Sequence, residues 1–188
     1  MTTKTMTVED ARKLMESWVS NPALRVHMEC VAACCSAYAR DYDPENSDKW
    51  TITGLLHDFD YEKHSTAEEH PYVGVQHLQE LGVDNEICLA ILGHADYTNT
   101  PRESQLAKVL FAVDEISGFI VACSKVRPNG ISDLKPKSVV KKLKDKAFAA
   151  AVNRNDIAQG IEELGVDQNE HLQKCIDAIR AEAGRLGL

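Results

Sequence analysis

The sequence predicts an all-α fold. Apolar residues recur at helical spacing along most of the chain, cap residues stand where several of those segments begin, and no stretch alternates apolar and polar residues as a half-buried strand does. The 188 residues are 44% hydrophobic, which is ordinary for a globular protein. At this length about 70% of the unfolded surface can be buried, so neither disulfides nor metal is needed merely to fold. No internal repeat or low-complexity tract interrupts the pattern.

Taken in order, Thr7 with Asp10 predicts the cap of a helix reaching about Val19. Asn21-Pro22 is a cap followed by proline at the first helical position. That second helix continues to about Arg40, with Leu24, His27, Cys30, Val31, Cys34 and Tyr38 on one side. Asp41 to Asp48 reads as a polar loop holding Pro44, and Lys49 to Phe59 as a helix carrying His57-Asp58 near its end. Asp60 to Glu69 is polar and irregular, in the manner of a lid. His70-Pro71 opens the next helix, which stops near Gly82. Asp84 caps another reaching His94 or Ala95, and Tyr97 to Arg102 is a loop. Glu103 to about Lys125 is the longest helix, dense in Leu, Val, Ile and Phe. After the turn Arg127-Pro128-Asn129-Gly130 come helices near Ser138 to Ala151, from about Asp156 to Leu164 and, past Gly165, from about Asp167 to Arg185. This order implies a core bundle over residues 7–125 and a C-terminal helical extension over 126–188 packed on it.

Composition narrows the classes. No apolar run approaches the ~20 residues of a membrane span, and Met1 to Asp10 lacks the apolar core of a secretion signal. A cytoplasmic protein is expected. The six cysteines form no C-x-x-C pair, so a zinc ribbon or thioredoxin-like motif is unsupported. They read as small buried residues in a reducing compartment rather than as nucleophiles or metal ligands. The net charge of −8 is uneven: residues 125–154 carry nine Lys/Arg against two Asp/Glu, whereas residues 1–124 carry nine against twenty. The basic segment reads as a solvated helix, the alternative being a surface for an anionic substrate or an acidic partner. Overall acidity and the lack of a binding motif disfavour nucleic acid as a main partner.

The candidate chemistry lies in six residues: His27, His57, Asp58, His70, His94 and Asp114. His27 shares a helix face with Ala23, Cys30, Val31 and Cys34, and His94 with Ile87, Ala90 and Ile91. Asp114 has Leu110, Phe111 and Gly118 as its one-turn neighbours. Titratable groups aimed at apolar surroundings are costly unless paired or metal-bound. Taken singly, each is more simply a hydrogen-bonded core residue. Together, four imidazoles and two carboxylates from five segments suffice to hold one or two divalent ions. Adjacent residues on a helix point about 100° apart, so His57 and Asp58 can both reach an ion lying between their directions.

At these residues a resemblance appears. The order His27, His57-Asp58, Asp114, with the phrase Leu55-Leu56-His57-Asp58, resembles the HD superfamily of metal-dependent phosphohydrolases, which is named for the doublet and built on a helical bundle. It covers about residues 20–125. His70-Pro71 and His94 look like the extra ligands of two-metal members, and the stretches HADYTNTPRES (94–104) and AVDEISGFI (112–120) resemble bacterial proteins of the HD/HDIG type. The resemblance implies one metal held by His27, His57, Asp58 and Asp114, and a second by Asp58, His70 and His94. The doublet is followed by Phe59-Asp60 rather than Ile-Gly, and no GYP signature is present, unlike the cyclic-dinucleotide phosphodiesterases.

The expected function is hydrolysis of a small phosphorylated substrate, a phosphate ester or nucleotide, by metal-activated water. Fe, Mn or Zn suits such a ligand set, and Asp58 both ligates and orients. Asp60, Lys63, Lys125 and Arg127 are candidates for proton transfer or phosphate contact, each with surface solvation as the plainer reading. His77 reads as exposed, the alternatives being a supporting group or a substitute ligand; His64 reads as solvent-facing, the alternative being contact with substrate; and His171 reads as a surface residue. Two other classes compete. One is a di-iron oxygenase of the myo-inositol-oxygenase type, which the same six ligands would serve. The other is a non-enzymatic regulatory module with a structural metal.

Overall fold

The computed structural model describes residues 6–188 and is all-α. The first five residues of the polar start lie outside the described residues. Helix α1 (Val8–Trp18) begins with a reciprocal capping box in which Thr7 and Asp10 satisfy each other's backbone N–H groups. Helix α2 (Pro22–Tyr42) starts where Asn21 accepts from Ala23 and Leu24. It outruns the expected end by two residues, and a 3-10 turn at Pro44–Asn46 leads directly into α3 (Ser47–Leu56), so the expected polar loop is mostly helical.

Helix α3 ends earlier than expected. His57 turns its Nδ1–H back to the Gly54 carbonyl at 2.8 Å, and the chain continues through turns closed by Tyr61 N–H to Asp58 O and His64 N–H to Asp60 O. The following stretch is anchored rather than a free lid: the Glu62 carboxylate accepts from the Ser20 and Asn21 N–H groups, each at 2.9 Å. Helix α4 (Tyr72–Glu80) begins two residues after His70, and α5 (Asn85–Gly93) is capped by Asp84. Helix α6 (Gln105–Lys125), at 21 residues as long as α2, is capped by Ser104.

The greatest departure comes next. Helix α7 (Pro136–Leu143) starts two residues before the expected position and ends eight residues short of Ala151. The chain beyond it is gathered around Arg154, whose guanidinium donates to the carbonyls of Asp145, Phe148, Ala149 and Val152. These bonds tie the segment together as turns, in which the Asp145 and Ala149 carbonyls also accept the Phe148 and Val152 N–H groups. Helices α8 (Arg154–Leu164) and α9 (Gln168–Leu186) follow, separated by Gly165 in the left-handed region at φ +70°.

Helix α2 packs against α3, α6 and α9, and α6 also meets α5 and α8. Glycine permits two of these crossings. A Cβ on Gly54 of α3 would lie 2.5 Å from the Ala32 Cα of α2, and one on Gly160 of α8 would lie 2.6 Å from the Ala112 Cα of α6. One buried cluster runs from Ala11 through Leu55, Leu110 and Phe119 to Ile176. Buried Glu29 of α2 takes Arg12 of α1 at 2.6 Å and Arg185 of α9 at 2.9 Å, tying three helices at one carboxylate. All six cysteines are free and buried, and burial pushes the Cys30 thiol up to about 12. Such thiols are not nucleophiles. Among the described residues, no helix is long and apolar enough to cross a membrane.

Candidate metal centre

Helices α2, α3, α5 and α6, with the turn before α4, bring the six singled-out residues to one place. His27 Nε2 lies 2.9 Å from Asp114 Oδ1, and His57 Nε2 lies 3.4 Å from that same oxygen. The Asp58 carboxylate stands between two groups. Its Oδ2 faces His57 Nε2 at 3.5 Å and His27 Nε2 at 4.0 Å. Its Oδ1 faces His70 Nε2 at 3.3 Å and His94 Nε2 at 3.2 Å. Two triads, His27–His57–Asp58 and Asp58–His70–His94, each present ligand atoms within 4.8 Å of one another.

Local structure aims these rings. His57 and His94 each give Nδ1–H to a carbonyl three residues back, Gly54 and Ile91 respectively. That leaves the Nε2 lone pairs directed inward. His70 is held from another element: its Nδ1 meets Asp60 Oδ1 at 2.7 Å, while Asp60 Oδ2 accepts the Gly74 N–H at 2.7 Å. Tyr97 adds a hydrogen bond from its hydroxyl to the His70 carbonyl at 3.0 Å. The Tyr61 ring stands edge-on to His70, with centroids 5.1 Å apart.

The charge balance favours a cation. Burial alone raises the Asp58 carboxyl, but the neighbouring His57 and His94 imidazoles hold it well below the usual carboxylate range. Asp114 is likewise raised by burial and held far down by His57 and His27. Neither carboxylate has a Lys or Arg partner among the described residues. Burial disfavours the charged form of His57, yet Asp58 and Asp114 lift its affinity for a proton well above the ordinary value. His57 Nε2 is buried with no hydrogen-bond partner. An orphaned imidazole nitrogen between two carboxylates fits a bound cation, and mixed imidazole and carboxylate donors suit a divalent transition metal.

The other candidates are not members of the six-residue cluster. Lys63 stands over the Trp18 ring at 5.2 Å, and Arg127 pairs with Asp133 at 2.8 Å. Lys125 lines a cavity beside His27. Asp60 is not a surface residue: it is 1% exposed and serves His70. His77 is half-buried against Trp18, with centroids 5.0 Å apart, and His64 packs near the same indole. His171 corrects the surface reading outright. It is 1% exposed, accepts from the Tyr38 hydroxyl at 2.6 Å and donates to the Ala112 carbonyl at 2.9 Å.

Sequence reasoning missed the service of Asp60 and Tyr97 to His70. The signal available was Asp60 two residues past Asp58, but turns have no helical period from which to infer a facing direction.

A family model described as HD domain matches residues 25–118, half of the chain. No curated protein and no solved structure matches significantly.

Proposed function

The chain belongs to the HD-domain family, and on that premise we propose that it hydrolyses phosphate esters with divalent metal held by the Asp58-centred cluster. The observation that carries this reading is the division of the Asp58 oxygens between two sets of imidazoles. His27, His57, Asp58 and Asp114 would hold one ion, and Asp58, His70 and His94 a second, with Fe, Mn or Zn suited to the donors. A divalent ion bound there lowers the pKa of water toward neutrality and stabilises negative charge on phosphoryl oxygens.

The chain's own contribution is orientation and one-sided access. The Gly54 and Ile91 carbonyls and the Asp60 carboxylate lock three rings with Nε2 inward, so the donors need little rearrangement on loading. The side chains of His57, His70 and His94 are 0%, 5% and 6% exposed, whereas those of His27, Asp58 and Asp114 retain 22%, 17% and 16%. That open side supports a catalytic centre over a closed structural one. A small phosphorylated substrate would approach there, and Asp58, whose oxygens face both sets of imidazoles and which is partly exposed, would orient the attacking water.

The test is hydrolysis of a phosphate model ester such as p-nitrophenyl phosphate, with and without added Mn²⁺. Activity should require metal and vanish in His57→Ala and Asp58→Ala. Hydrolysis undiminished in both variants would overturn the proposal.

A further inference from the structure

His27 differs from the other three imidazoles of the centre. His57, His70 and His94 each have Nδ1 engaged by a fixed acceptor. His27 turns Nε2 toward Asp114, and among the described residues nothing accepts from its Nδ1. That edge lies beside Gly118, at a cavity of about 300 Å³ lined by α2, α6 and residues 186–188 at the end of α9. Its walls are mainly apolar, including Val26, Val121 and Leu186, and Lys125 stands among its lining residues. Gly118 keeps the cavity open beside the ring: a Cβ there would meet only His27 Nδ1, at 3.8 Å. Lys125 is exposed and has no ion-pair partner among the described residues. It also begins the segment 125–154, in which nine basic residues face two acidic ones.

We propose that this slot binds a small aliphatic carboxylate, its tail against the apolar walls and its carboxylate between Lys125 and the His27 Nδ1–H. The inference rests on the metal reading, because a lone pair offered to an ion at Nε2 puts the ring proton on Nδ1. The other three rings have that proton taken by the protein. Here the ligand takes it, completing a carboxylate–imidazole–metal relay from outside the chain. An acceptor at Nδ1 makes the imidazole a stronger metal ligand. Linkage then requires the metal to strengthen carboxylate binding by the same factor. The slot would thus couple the level of an organic acid to metal loading.

The experiment is calorimetric titration of the full chain with hexanoate, with and without saturating Mn²⁺. Hexanoate should bind at least about tenfold more tightly than acetate, since each buried methylene contributes about 0.8 kcal/mol, and hexan-1-ol should bind more weakly than hexanoate. Mn²⁺ should tighten hexanoate binding by about tenfold. Gly118→Leu, which fills the slot, and Lys125→Gln, which removes the charge, should each weaken hexanoate severalfold. Mn²⁺ affinity without hexanoate should be unchanged in Lys125→Gln, and circular dichroism verifies the folding of both variants. Hexanoate that binds no better than acetate, binds folded Gly118→Leu undiminished, or is unaffected by Mn²⁺ that itself binds the chain overturns the proposal. Failure of Mn²⁺ to bind the wild-type chain overturns the metal reading instead. Loss of hexanoate binding in metal-free Gly118→Leu would then still support the slot.

Discussion

Asp60 and His70 form a buried pair, with Oδ1 and Nδ1 2.7 Å apart and both side chains at most 5% exposed. Because Asp60 also accepts the Gly74 N–H, it fastens the first turn of α4 to the ring that precedes it. A carboxylate behind an imidazole sets its tautomer and raises its basicity toward a metal on the far nitrogen. Asp60→Asn keeps the shape and removes the charge. Metal affinity should fall by about 10–100-fold, read by Mn²⁺ titration, and an unchanged affinity would show that Asp60 only packs.

Metal stoichiometry should follow the two faces of Asp58. Metal analysis should find two ions per wild-type chain, one in His94→Ala and almost none in Asp58→Ala. A single ion in the wild type that persists in His94→Ala would remove the second site. If the protein purified without added metal carries two irons and shows a mixed-valence spectrum in air, oxygen chemistry replaces hydrolysis.

Stability should depend on pH through His171. Burial pushes this imidazole down to about 4, whereas an unfolded chain protonates it near 6.5. Between those values the unfolded state binds more protons, so stability is lost as pH falls from about 6.5 to about 4, and the loss then levels off. The full difference is about 3 kcal/mol. Urea unfolding at pH 7.5 and pH 4.5 should show a smaller drop in His171→Gln than in wild type. Equal drops in the two proteins would refute this source.

Glycine substitutions should separate by neighbourhood. Gly160→Ala forces a methyl against the backbone of Ala112 and should cost about 1–3 kcal/mol. Gly184→Ala meets nothing within 4 Å on helix α9 and should gain about 0.5–1 kcal/mol from helix propensity. Thermal melts of the two variants should move in opposite directions. The same direction for both would mean that the α6–α8 contact yields.

The sequence was most legible where local chemistry alone decides the outcome. Thr7, Asn21 and Asp84 cap helices because each offers a side-chain oxygen to N–H groups a few residues away. The six polar residues on or beside apolar segments stood out because an unpaired charge there needs a partner. The expected helix to Ala151 is replaced by turns whose carbonyls are gathered by Arg154, a residue beyond the segment. The surface reading of His171 failed for a similar reason, since its partners Tyr38 and Ala112 belong to other helices.

By itself, the order of residues determined the all-α class, most helix starts and the identity of the side chains that meet at Asp58. Tertiary structure alone decided that the two Asp58 oxygens face different imidazoles, that Asp60 stands behind His70, and that His27 keeps one edge free beside Gly118. The division has a physical cause. Capping and amphipathic patterning act within a turn or two of the chain. The direction in which a ring nitrogen points is set by acceptors and cavities that come from helices remote in sequence.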